Sequence, residues 1–143
     1  MPGKTPKDEK HEDLNQLGYA RQVYQNQYAL VNNSAQLVLQ EMRELEASQT
    51  TLENIGLLNS RESLIATGAG VYIRAVPNNT STVLVEVGGS YVAEKSIDEA
   101  KAFISKQVTA KTEVLNRLLK SKRDLEASLI EIEYKMESAG TQV

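Results

Sequence analysis

The chain has no cysteine among its 143 residues. That removes disulfides, thiol nucleophiles and Cys-ligated metal, and it suits a reducing compartment. Tryptophan is also absent and there is one Phe, although 41% of residues are apolar. A compact core draws heavily on aromatic volume, so the Leu, Val, Ile and Ala must be buried in some other way. The one histidine, His11, lies in a polar segment. No His-based triad or metal site can be built around it, and it reads as an exposed residue. No catalytic residue, metal or cofactor is expected, and the chain is not read as an enzyme. A net charge of −3 argues against nucleic acid as a partner, because phosphate binding needs a concentrated basic surface. The basic run Lys120-Ser121-Lys122-Arg123 is followed at once by Asp124 and Glu126, which describes a solvated helix face. No apolar run approaches the roughly 18 residues that span a bilayer, and no apolar h-region follows Met1. No membrane partner is expected, and the location expected is cytoplasmic.

What is present is heptad periodicity. From Leu14 a 3-4 spacing runs through Leu17, Arg21, Tyr24, Tyr28, Val31, Ala35, Val38, Met42, Leu45, Gln49 and Leu52 without a slip. Ten of these twelve positions are apolar or Tyr, no Pro interrupts them, and Gly56 stands where a stop is expected. A sustained period of 3.5 is the coiled-coil pattern. A second seam runs Ile104, Val108, Lys111, Leu115, Leu118, Lys122, Leu125, Leu129, Ile132, Met136, Ala139. Ser96, with Glu99 three residues on, has the spacing of a capping box before it. The spacing predicts a first coiled-coil helix over 14–56 and a second over 96–139. A disordered tail is expected over 1–13 and a short one over 140–143. Each helix would reach roughly 60 Å. A lone helix would leave its stripe in water, so the two are expected to zip antiparallel, with Leu14 beside Met136 and Leu52 near Ile97. Lys111 and Lys122 in the seam read as devices that set register or partner choice.

Between the helices, over 57–95, the apolar period changes to two. Four strands are expected: Leu64–Thr67, Val71–Val76, Val83–Val87 and Tyr91–Glu94. Gly68-Ala69-Gly70 and Gly88-Gly89-Ser90 are tight-turn sequences, so the strands pair as two hairpins. Gly68-Ala69-Gly70 lacks the further glycine and the Gly-Lys-Ser/Thr of a phosphate loop. Two isolated hairpins are marginal in water and leave open edges. Val71 and Ile73 on one hairpin, and Val83, Val85 and Val87 with Tyr91 on the other, are expected to form subunit interfaces with other chains.

One oddity remains. From Leu14 to Gln40 only Arg21 of 27 residues is charged, whereas coiled-coil exteriors usually carry many Glu and Lys. Val23, Leu30 and Leu37 are apolar off the seam at intervals of seven, and Ile130 and Tyr134 lie off the seam of the second helix. Packing against a neighbouring helix and a protein-binding surface both account for these residues.

The order helix, two β-hairpins, helix resembles an alpha-class prefoldin subunit. The residues that carry the resemblance are Leu64-Ile65-Ala66-Thr67-Gly68-Ala69-Gly70 with Val71-Tyr72-Ile73, and Val83 to Lys95 running into Asp98-Glu99-Ala100. The latter is similar to archaeal alpha subunits and the eukaryotic fifth subunit. Ala66-Thr67 departs from the Pro and aliphatic residue the family often has before the glycine. The resemblance implies an α+β, mainly α fold: a long antiparallel coiled-coil hairpin with two β-hairpins at its base that join an oligomeric β-barrel. It implies a hetero-hexamer of two alpha-class and four beta-class subunits, an ATP-independent chaperone holding unfolded client proteins at the coiled-coil tips and delivering them to a group II chaperonin. Leu14, Leu17, Tyr19, Val23, Ile130, Ile132, Tyr134 and Met136 fall where that tip would be and are the expected client-binding residues. The alternative is a prefoldin-like structural scaffold in a non-chaperone complex.

Overall fold

The computed structural model describes Gly3 and residues 5–141. Helix α1 spans Pro6–Glu53, and a short 3-10 turn at Ile55–Leu58 leads into four strands. These are β1 (Ser63–Gly68), β2 (Val71–Ala75), β3 (Thr82–Gly88) and β4 (Tyr91–Ser96), and helix α2 (Ile97–Thr141) follows. The order and the mainly helical character agree with the expected fold class. The strands lie within a residue or two of their expected bounds.

The start of α1 is a correction. The segment 1–13 was expected to be a disordered tail, yet the helix begins at Pro6; residues 1, 2 and 4 of that segment lie outside the described residues, as do 142 and 143 of the expected C-terminal tail. The physical reason is a local cap. The Thr5 hydroxyl donates to the Asp8 carboxylate at 2.6 Å, the Thr5 backbone N–H donates to the same oxygen at 3.3 Å, and the Asp8 N–H donates back to Thr5 Oγ1 at 3.3 Å. This is a capping box with Asp in place of Glu, and Pro6 sits at the first helical position, where its missing N–H costs nothing. At the other end α2 continues through Gly140 to Thr141.

The chain divides into two compact units, one made of the residues up to Leu39 with those from Glu113 onward, the other of Gln40–Thr112. In the first, Arg21 is paired with Glu133 at 3.4 Å, Tyr28 donates its hydroxyl to Glu126 at 3.1 Å, and Lys122 lies over the Tyr28 ring. The helices are therefore antiparallel here. Ala35, Val38 and Ile132 are buried, and every other seam residue of this unit is half-buried.

In the second unit Leu52, Ala100 and Ile104 form the buried cluster, with Leu45, Ile97, Phe103 and Val108 packed around it. Lys111 reaches across the seam to Glu41 at 2.5 Å. β1 pairs antiparallel with β2 and β3 with β4, as two separate two-stranded sheets. Each hairpin turns on two residues of positive φ, Ala69 and Gly70 in one and Gly89 and Ser90 in the other, preceded by a bulged Gly68 or Gly88. Paired positive φ values are the type I′ geometry, whose twist matches that of the strands. Ser96 caps α2, accepting from the Glu99 N–H at 3.2 Å.

Candidate protein-binding surfaces

Two sets of apolar side chains remain in contact with water, one in each unit. In the first unit, Tyr19 (75%), Ile130 (71%) and Tyr134 (70%) are largely exposed, as are Leu30 and Leu37. Of the other expected client-binding residues, Leu14, Leu17, Val23 and Met136 are half-buried, and Ile132 is buried. Ile132 is a seam residue and is buried in this chain, so it does not stand open to a client here. Heptad position separates all of these but Val23: Tyr19, Ile130 and Tyr134 are off the seam and exposed, Leu14, Leu17, Ile132 and Met136 are on it, and Val23 is off the seam yet half-buried.

In the second unit the register decides which strand face is available. Val83 pairs with Lys95 and Val85 with Ala93, so these four share a face. Val83 and Val85 pack against the Leu52, Ala100 and Ile104 cluster of their own chain. They were expected to lack a partner in their own chain, and the structure corrects this: the helices supply one. The opposite face carries Leu84 and Val92, both exposed, with Glu86 and Glu94 on the other diagonal. Thr82 donates its hydroxyl to Glu94 at 2.9 Å. At the turn end, Val87 and Tyr91 are exposed.

The β1–β2 hairpin is exposed on both faces. Ile65 opposite Ile73, together with Val71, forms one apolar face. Leu64 and Tyr72 lie on the other, which also carries Arg74 beside Glu62 at 3.4 Å. Val71, Ile73, Val87 and Tyr91 of the expected interface are thus exposed. Leu64, Ile65, Tyr72, Leu84 and Val92 are exposed as well and were not among the expected interface residues. The signal was there, since a strand apolar at both phases of the period-two pattern has two faces to cover.

The Thr5 hydroxyl, then the Thr5 N–H, hold the Asp8 carboxyl below its ordinary value near 3.8. Among the described residues no buried side-chain nitrogen or oxygen lacks a partner, and no cluster of His, Cys, Asp and Glu could hold a metal ion. None of the described helices is long and apolar enough to cross a membrane. What the arrangement can do is present apolar surface to other polypeptides.

Residues 24–142 match the family model of the prefoldin subunit. Prefoldin subunit alpha of Pyrococcus horikoshii is 28% identical over 129 residues, 89% of this chain and 87% of that one. Prefoldin subunit alpha of Thermofilum pendens is 31% identical over 110 residues, 69% of this chain and 85% of its relative. Among solved structures, the prefoldin beta subunit from Thermococcus strain KS-1 superposes with a TM-score of 0.62 at 18% identity, covering 97% of this chain and 96% of that one. A chain of the filamentous PFD of Methanocaldococcus jannaschii gives a TM-score of 0.59 at 21% identity, covering 87% and 98%. At those identities the structural likeness speaks for the fold, while the family match and the alpha-subunit relatives speak for descent. The chain belongs to the prefoldin family, as a chaperone subunit of its alpha class.

Proposed function

We propose that the chain works as an ATP-independent holdase subunit in the cytoplasm, assembled with beta-class subunits as two alpha and four beta chains. Its hairpins join those of neighbouring subunits, its helical pair takes hold of unfolded proteins, and the complex passes them to a group II chaperonin. The observation that carries the reading is the exposure of Tyr19, Ile130 and Tyr134 on the helical pair, in the half that contains the chain termini. Large apolar side chains standing in water off the seam contribute nothing to the helix pair and are available to a client. Each contact is weak, at most about 1.5–3 kcal/mol per fully buried side chain. Several subunits holding one client supply the rest through effective concentration. Exposed Ile65, Val71, Ile73, Leu84 and Val92 on the hairpins support the assembly part, since two-stranded sheets do not stand alone in water.

The test is to co-express the chain with a beta-class prefoldin subunit, measure the native mass, and follow aggregation of a denatured enzyme without nucleotide. The complex should suppress aggregation. Combined Tyr19→Ser, Ile130→Ser and Tyr134→Ser should lower protection while native mass and helix content stay the same. Full protection by the triple variant would place client binding elsewhere.

A further inference from the structure

Val23, Leu30 and Leu37 fall at intervals of seven on α1, beside the seam rather than in it. A repeat of seven keeps a fixed position relative to a coiled-coil seam, so the three stay on one stripe about 21 Å long. Leu30 is 67% and Leu37 58% exposed, and Val23 is half-buried. Leu30 forms one wall of an open groove with Gln27, Val31, Ser121, Asp124 and Leu125. Val31 and Leu125 are seam residues, so the groove is continuous with the helix–helix interface already made within this unit. No charged residue occurs on α1 between Arg21 and Glu41, and Asp124 is the one charged side chain lining the groove.

The spacing discriminates between occupants. Apolar points about 10 Å apart correspond to three residues of extended chain, and three is odd, so successive side chains would point to opposite faces. In a helix the same distance is seven residues, which return to the same face. The stripe thus fits a rod with heptad periodicity. Beside Leu30, the groove's Asp124 fits a cation on the side of that rod facing it, and the uncharged α1 wall asks for nothing on the other side.

We infer that the stripe Val23–Leu30–Leu37 binds client segments as amphipathic helices, with apolar residues at heptad spacing and Lys or Arg on the flank toward Asp124. This rests on the chaperone reading and names the class of segment that the helical pair selects.

The test uses the complex with beta-class subunits and fluorescent peptides of about three heptads. One carries Leu at the seam positions with Lys flanks, a second has Glu flanks, and a third is the Lys peptide with two central prolines. By anisotropy the Lys peptide should bind about ten-fold or more tighter than its proline version, with helix induction seen by circular dichroism. Leu30→Asp with Leu37→Asp should remove about ten-fold of that affinity, and Asp124→Asn should narrow the preference for Lys over Glu flanks. Equal binding of the proline peptide, or no effect of the leucine substitutions, overturns the inference. A drop in native mass caused by those substitutions also overturns it, because a helix of another subunit then covers the stripe. Aggregation suppression by the unaltered complex is measured alongside. Its absence would sink the chaperone reading itself, whereas normal protection without helix preference sinks this inference alone.

Discussion

Single residues with unusual backbone or titration behaviour give the sharpest expectations. Gly70 has φ of +77° in the turn between β1 and β2, beside Ala69 at +52°. A side chain in that region costs about 1–2 kcal/mol, and a β-branched one lies toward the upper end. Gly70→Val should therefore speed amide exchange across β1 and β2. Ala69→Asn, placing a residue that tolerates this region, should slow it. Nothing lies within 4 Å of a Cβ built on Gly70, so the effect is conformational rather than steric crowding. The glycine-rich turns made these hairpins legible in the sequence, because paired positive φ values ask for such residues. The start of α1 was not legible in the same way, since a charged segment with two prolines suggests a tail until Thr5 and Asp8 are recognised as a cap. Asp8 also gives a pH dependence. Its carboxyl is held below 3.8 in the folded state, so its contribution is present above the unfolded value and lost as pH falls through the folded one. Protection of the Thr5, Asp8 and Glu9 amides, measured against the intrinsic exchange rate at each pH, should fall as the pH drops below that range, and Asp8→Asn should remove that fall.

At the scale of the element, the seam separates residues that hold the helices together from residues that merely sit on them. Every position assigned to the seam from the 3-4 spacing is buried or half-buried, while Tyr19, Leu30, Leu37, Ile130 and Tyr134 are exposed. Ile132→Ala, at a position 7% exposed, should destabilise by about 2–4 kcal/mol. Leu118→Ala and Leu125→Ala, both half-buried, should cost less, about 1–3 kcal/mol. Tyr134→Ala should stay within about 0.5 kcal/mol. Thermal unfolding of the four variants checks the order, and equal shifts for Ile132 and Tyr134 would contradict the burial. The seam was legible because repetition over many turns averages out local exceptions. Its register was harder to read, since a 3-4 pattern matches itself at every heptad. Arg21 to Glu133, Tyr28 to Glu126 and Lys111 to Glu41 are polar contacts between the helices that the apolar spacing does not announce.

For the molecule as a member of an assembly, the decisive distinction is between strand residues that belong to this chain's own core and those that remain open. Alternation in β3 showed that Val83, Val85 and Val87 share a face, but alternation alone does not say what a face meets. In the structure Val83 and Val85 pack on Leu52, Ala100 and Ile104, so Val85→Asp would place a charge against the chain's own core. Loss of assembly in that variant would report damaged folding and say little about an interface. Leu84 and Ile73 separate the two effects, because both are at least half exposed in this chain and neither is packed on that cluster. Leu84→Glu adds a third carboxylate to a face that already holds Glu86 and Glu94, and Ile73→Asp puts a charge opposite Ile65. In the isolated chain each should leave helix content unchanged and shift the unfolding midpoint little, as surface substitutions do. When mixed with a beta-class subunit, each should lower the native mass, since an unpaired charge would have to be buried in the joint. Val85→Asp should differ by lowering the unfolding midpoint of the isolated chain as well. Normal native mass for both Leu84→Glu and Ile73→Asp would mean that the exposed hairpin faces are not where the subunits join.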